Sequence, residues 1–293
     1  MVVAQAVNVD NLQSKLHELL VAKIQTGKLI LPAIPATAAR TLECLEAADL
    51  NVERVTRLLE GDPVISLDVI RLVNSAAFAP KVPIDSLNRA VSMLGAKRLR
   101  SFLITASARQ VFVSRIQEVR DILAQLWTHS VGVAVVARQV AVHAGFEDKD
   151  APYMAGLMHD IGKPIVAIHL LELEKSVSRW QQSRWIDPYQ WLSIVEQVHR
   201  PVGIAVAKRW NLPPQVAEAI QDCVEYDPGD RLSASNAVRF ANSLAKREGV
   251  AVGNVDMEQV TTSLMIGRSI LGLDDEAIGG MSGSLHQAVQ ELA

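Results

Sequence analysis

No stretch of this 293-residue chain alternates apolar and polar side chains as a half-buried strand requires. What recurs instead is apolar residues three and four apart, in blocks cut off by proline or glycine. That pattern confines the chain to packed helices, so the expected class is all-α. The apolar set agrees. Ala, Leu and Val dominate it and aromatic residues make up only 4%, a mixture suited to close helix packing rather than to a pleated surface. With 49% apolar and 21% charged residues, the chain can bury an ordinary core, and global disorder is excluded.

The punctuation sets the helix limits. Leu12, Leu16, Leu19, Leu20 and Ile24 predict a leading helix over 10–27, with Asp10 as its N-cap. Leu31-Pro-Ala-Ile-Pro35 is a stiff extended linker, because a residue before proline is pushed out of the α region. Short helices follow over 36–48, 51–60 and 63–77, the last opened by Asp62 as N-cap and Pro63 at the first helical position. A helix over 86–94 is closed by Gly95, and a longer one runs over 97–112. The second part starts near Ser114, with a long helix over 117–143 stopped by Gly145. Helices over 150–161 and 164–176 come next. A loop over Trp180–Trp191 holds three of the five tryptophans, and two helices meet at Arg200-Pro201. A short helix leads to Cys223, a turn occupies 225–230, and a helix spans 235–247. The tail offers helices over 256–268 and 274–291 around a flexible Gly279-Gly280.

One stretch carries chemistry: Met154-Ala-Gly-Leu-Met-His-Asp-Ile-Gly-Lys163. In mid-helix His159 and Asp160 would point about 100° apart. At a helix end they can lean into one cleft, where imidazole and carboxylate suit a divalent metal. Gly162 is expected as a left-handed C-cap and Pro164 in the next first turn. The bland alternative is a helix-end lock, with Asp160 accepting from backbone N–H groups. Asn74-Ser75 reads as a cap or turn, and Lys97, Arg98 and Arg100 as a solvated basic face.

Several motifs fall in one order: Leu31-Pro-x-Ile-Pro35, Asp62-Pro63, Leu72-Val-Asn-Ser-Ala76 with Phe78, Ile84-x-Ser86 and Ala90-Val-x-x-Leu-Gly95. Together they closely resemble the HDOD family, the HD-related output domain of bacterial signalling proteins, over about 30–250. The resemblance implies a two-lobed helical fold: a leading helix over 1–30, an N-terminal lobe over 31–115, an HD-like lobe over 116–250 and a helical extension over 251–293. It also implies relation to the HD and HD-GYP phosphohydrolases and a regulatory role. Matched residue by residue, His129, His159, Asp160 and His199 stand at metal-ligand positions, with Glu196 one turn before His199 and Gly132 leaving room beside His129. Lys163 matches a lysine that contacts substrate phosphate.

The rest of the resemblance is broken. Where HD-GYP enzymes carry His-His-Glu, this chain has Cys223-Val224-Glu225. Asn242 stands where the superfamily's closing Asp belongs, and it cannot supply a carboxylate's charge. The Gly-Tyr-Pro motif is missing too. A two-metal site for in-line displacement cannot be completed from these residues. No cofactor is therefore required; a single divalent metal (Fe, Mn, Mg or Zn) on His129, His159 and Asp160 remains compatible. His169, His143 and His286 read as structural or helix-end residues.

Three readings follow. The favoured one is a non-catalytic signalling protein that works through contacts with other signalling proteins, with an old enzyme cleft open to a nucleotide or other small ligand. The others are a metal-dependent phosphohydrolase acting on a nucleotide or cyclic dinucleotide, and a structural interaction module with an empty cleft. The net charge of −3 gives no footprint for nucleic acid. Two widely spaced cysteines, no signal-like start and no bilayer-length apolar run make the cytoplasm the expected setting, without membrane insertion.

Overall fold

The computed structural model describes residues 18, 22–23, 25–27, 30–47, 51–75, 78–115, 117–178 and 188–292. Its regular elements are all helical: α1 (Ala36–Glu46), α2 (Val52–Glu60), α3 (Pro63–Val73), α4 (Leu87–Val111), α5 (Gln117–Ala144), α6 (Asp150–Met158), α7 (Gly162–Ser178), α8 (Pro188–Arg209), α9 (Pro214–Asp222), α10 (Ala234–Arg247), α11 (Met257–Leu271) and α12 (Asp275–Leu292). The leading helix and most of the Trp180–Trp191 tract lie outside the described residues. No helix among those residues is long and apolar enough to cross a membrane.

The chain divides into two compact units. The first runs over 33–110 and its helices α2 and α3 carry side-chain caps, of which the Asp62 cap is the one expected from the sequence. Asn51 accepts from Arg54 N, and Asp62 Oδ1 accepts from Val64 N and Ile65 N at 3.1 Å. Asn74 closes α3 and ties it to the segment that leads into α4. Its Nδ2 donates to Ile84 O at 2.7 Å while its Oδ1 accepts from Ile84 N at 2.8 Å. Nδ2 also donates to Ile70 O at 2.9 Å, one turn back in α3, so Asn74 acts as a staple between that helix and Ile84. Arg98 lies over the Phe78 ring and Arg100 pairs with Glu46. α4 is one element interrupted at Gly95, whose φ of 69° is the break that the sequence predicts there.

The second unit comprises the residues from Val111 onward and the described residues up to Pro32. Pro32 is held by Trp210, whose indole N–H donates to its carbonyl at 2.9 Å. α5 is the central element. Val133, Val136, Ala137, Val140 and Ala141 on it are wholly buried, in one core with Phe240 and Leu244 of α10, Leu264 of α11 and Met281 of α12. Here the tail departs from expectation. Gly279 and Gly280 are interior residues of α12, which buries Ala277, Met281 and Leu285, so tertiary packing overrides their low helix propensity. Arg200-Pro201 likewise joins no two helices. α8 continues through Pro201 and forgoes one backbone hydrogen bond.

Candidate metal centre

α6 ends at Met158, three residues before the sequence-predicted limit, and α7 begins at Gly162. His159 and Asp160 therefore occupy the tight turn between two helices, which lets adjacent side chains face one point. Gly162 is not the left-handed cap that its position suggests, since its φ is not positive. Its reason is a close approach. A Cβ there would collide with the His199 carbonyl and lie 2.9 Å from Gly203 N, so α7 and α8 touch backbone to backbone. A second contact of this kind joins α6 to α5, where a Cβ on Gly156 would lie 2.9 Å from Ala134 Cα. These two glycines draw four helices together in two pairs and bring His129, His159, Asp160 and His199 to one place.

Ligand-type atoms of His129, His159 and Asp160 all lie within 4.8 Å of one another, and all three residues are buried. The two imidazole centroids are 5.3 Å apart. Asp160 Oδ2 is 3.3 Å from His159 Nε2 and 3.8 Å from His129 Nε2, while Oδ1 is 3.5 Å from His199 Nε2. His199 thus faces the same carboxylate from the opposite side but stays outside the tight group of three. The early His, the His-Asp pair and the later His are all brought together.

The outer ring nitrogens fix which atoms face inward. His129 Nδ1 is 2.7 Å from Val250 O, His159 Nδ1 is 2.7 Å from Gly156 O, and His199 Nδ1 is 2.8 Å from Glu196 O. A carbonyl can only accept, so each Nδ1 carries the proton and donates it. For a neutral ring, Nε2 then presents its lone pair. Burial, reinforced by His159, lowers the pKa of His129 to about 4, and burial also lowers that of His199, so both rings are neutral at pH 7. Burial works against an ionised Asp160, but the charges of His159 and Lys163 outweigh it and hold the carboxyl well below its usual range. The His129 and His199 Nε2 atoms and the Asp160 carboxylate therefore converge as acceptors. Among the described residues, His159 Nε2 and Asp160 Oδ2 have no hydrogen-bond partner.

Lys163 partly offsets this. Its ammonium is 2.9 Å from Asp160 Oδ2, close enough for an ion pair but poorly aligned for a hydrogen bond, and it also pairs with Glu196. Burial opposes its charge, yet those two carboxylates raise its pKa. The lysine matched to a phosphate contact is thus already held between two carboxylates. Asp160 Oδ2 accepts no backbone N–H among the described residues, and Lys163 takes that place.

The positions that break the motif lie beside this centre. Cys223 caps α9, with Arg200 Nη1 3.7 Å from its sulfur; burial raises its pKa and keeps it a thiol. Val224 is half-exposed and has no ligand atom. Asn242 Oδ1 is buried without a partner among the described residues. Arg239, Asn242 and Lys246 recur on one face of α10. Lys246, whose pKa is lowered by burial and then by Lys163, borders the site although nothing in its sequence context marks it.

A helical domain with a buried His/His-Asp cluster at a helix corner defines the HD-like class. Within it, the HDOD domain model matches residues 31–225, and the chain belongs to the HDOD family. A protein from Shewanella amazonensis SB2B, provisionally described as a metal-dependent phosphohydrolase, is similar in structure, with a TM-score of 0.72 and 24% identity over 94% of this chain and 99% of that one. An HDOD domain protein of unknown function from Geobacter sulfurreducens gives 0.64 and 25%, over 95% and 96%. An uncharacterized protein of Treponema pallidum (strain Nichols) is 25% identical over 269 residues, 90% of this chain and 50% of that protein. The chain thus spans about half the length of that curated relative.

Proposed function

We propose that this chain is a regulatory HDOD protein that holds one divalent metal ion at His129, His159 and Asp160 and does not hydrolyse phosphodiesters. The observation that carries the metal reading is the common orientation of the imidazoles. Their Nδ1 protons are spent on backbone carbonyls, so their Nε2 atoms face the Asp160 carboxylate. A proton could relieve only one of these acceptor pairs, whereas a divalent ion would satisfy them together. Borderline or harder ions such as Fe(II), Mn(II) or Zn(II) suit imidazole with carboxylate. Bound there, such an ion would supply positive charge and Lewis acidity. His129 and His159 would hold it as neutral ligands, Asp160 as the anionic one, and Lys163 would anchor Asp160.

The replacements at Cys223, Val224 and Asn242 support the non-catalytic half, because they remove the ligands a second ion would need. The output is then contact with other signalling proteins. A small anionic ligand such as a nucleotide is a suitable gate, because Arg200, Arg239 and Lys246 all lie within electrostatic range of Cys223, beside the metal centre. The hydrolytic half is tested with cyclic di-GMP and model phosphodiesters in Mn(II), Mg(II) or Fe(II). No turnover above background is expected. Multiple turnovers that vanish in both His159→Ala and Asp160→Ala would make the protein a phosphohydrolase instead.

A further inference from the structure

The carbonyl that orients His129 comes from outside the residues matched by the family model. It belongs to Val250, just past the end of α10. That end has a specific cap. Val250 N donates to Ala245 O at 2.8 Å and Gly249 N to Lys246 O at 3.1 Å, with Gly249 at φ +79°. These are the paired bonds of a Schellman motif, and they fix where the Val250 carbonyl points.

α12 holds this cap from the far side. Ser282 donates to Glu248 Oε1 at 3.0 Å, and His286 Nε2 lies 3.7 Å from Glu248 Oε2. Between them Leu285, wholly buried, drops into the notch left by Gly132, one turn along α5 from His129. A Cβ on Gly132 would collide with Leu285 Cδ1 and touch Val250 Cγ1 at 3.7 Å. The room beside His129 is therefore filled by the C-terminal helix and by the residue that orients the imidazole. Ser282, Leu285 and His286 share one face of α12 by their spacing.

We infer that the C-terminal helices are a positioning element of the metal centre: α12 clasps the Glu248–Val250 cap, the cap presents its carbonyl to His129, and docking of the tail sets metal affinity. This rests on the single-metal reading. Coupling between two sites is reciprocal, so bound metal must also tighten the docking of α11 and α12. A signalling partner that pulled on the tail would then lower metal affinity without touching a ligand.

The test titrates Mn(II) alone into the full chain and into Gly249→Ala, Leu285→Ala and Leu285→Met. Amide hydrogen exchange is followed with and without Mn(II). An alanine at a φ of +79° is strained and displaces the cap. Loss of an orienting carbonyl weakens a metal site about 10-fold or more, so Gly249→Ala is expected to bind Mn(II) that much more weakly. Leu285→Ala should weaken binding at least about 5-fold, in the usual range of coupling. Leu285→Met should stay close to wild type. Mn(II) should slow exchange in α11 and α12 more than in α1–α3. Wild-type binding that is unchanged in Gly249→Ala and Leu285→Ala, with no added protection of α11 and α12, overturns the inference and leaves the metal reading intact. If an alanine variant does not fold, wild-type exchange decides alone. No Mn(II) binding by wild type overturns both.

Discussion

Gly162→Ala is expected to cost about 3 kcal/mol of stability or more, at the upper end of overpacking effects. A Cβ at this position meets the carbonyl and carbon of His199 and the amide of Gly203, all of them backbone atoms of α8. Backbone cannot rotate away as a side-chain tip can. The two helices must separate, which carries His199 off the Asp160 carboxylate as well. Gly203→Ala is the control. There a Cβ would meet Ile220 Cγ2 at 3.2 Å, a side-chain atom that can yield, and would only touch Ile161 Cγ2 and the backbone Gly162 N at 3.5 Å, ordinary van der Waals distance. Urea denaturation of the two variants should therefore rank Gly162→Ala well below Gly203→Ala. Equal losses would mean that the α7–α8 contact does not set the position of the site.

Lowering the pH of the metal-free protein should destabilise it between pH 6.5 and about 4. Burial, with the charge of His159, lowers the folded-state pKa of His129 from 6.5 to about 4, against the pull of Asp160. Within that window the unfolded chain binds a proton on this ring that the native chain does not, so stability rises with pH there. At 1.36 kcal/mol per pKa unit, the loss on acidification is roughly 3 kcal/mol for this residue. His199, also lowered by burial, acts in the same direction. Asp160 does not contribute within the window. Its carboxyl is held below the ordinary 3.8, and what it contributes is lost at lower pH. Denaturation with chelator present, from pH 7 down to 4.5, gives the slope for wild type and His129→Gln. The variant should show a shallower fall. Parallel curves would mean that His129 is not buried as a neutral ring.

The helices were legible in the sequence because their signals are local. Asp62-Pro63 and Gly95 act within one turn of where they stand, and the structure has a cap or a break at each. The misreadings arise where distant contacts decide. Gly162 looks like a cap until α8 is seen lying on its Cα, and Gly279-Gly280 looks flexible until α12 is seen packed on α5. The candidate site followed the same division. His129, His159, Asp160, Lys163 and His199 could be named from motifs, and the structure brings them together. Val250 contributes only a carbonyl, for which no side chain is evidence. Gly156 contributes only the absence of a Cβ against Ala134. Lys246 reaches the site because it lies one turn after Asn242 on α10. A helical period over 234–247 could have suggested that shared face, but not what it faces.

Metal content and thermal stability, measured together on protein purified without chelator, test the central claim. The chain should carry one ion of Fe, Mn or Zn. A ligand at a hundred times its Kd stabilises the folded state by about 2.7 kcal/mol. For a domain of this size that raises the melting temperature by about 5 °C or more. Wild type should show this rise with added Mn(II), Fe(II) or Zn(II) relative to chelator. His129→Ala and Asp160→Ala should bind no ion and show no rise. Wild type free of metal, with the same melting temperature in metal and in chelator, would contradict the account and leave the cluster as a lysine-paired structural lock.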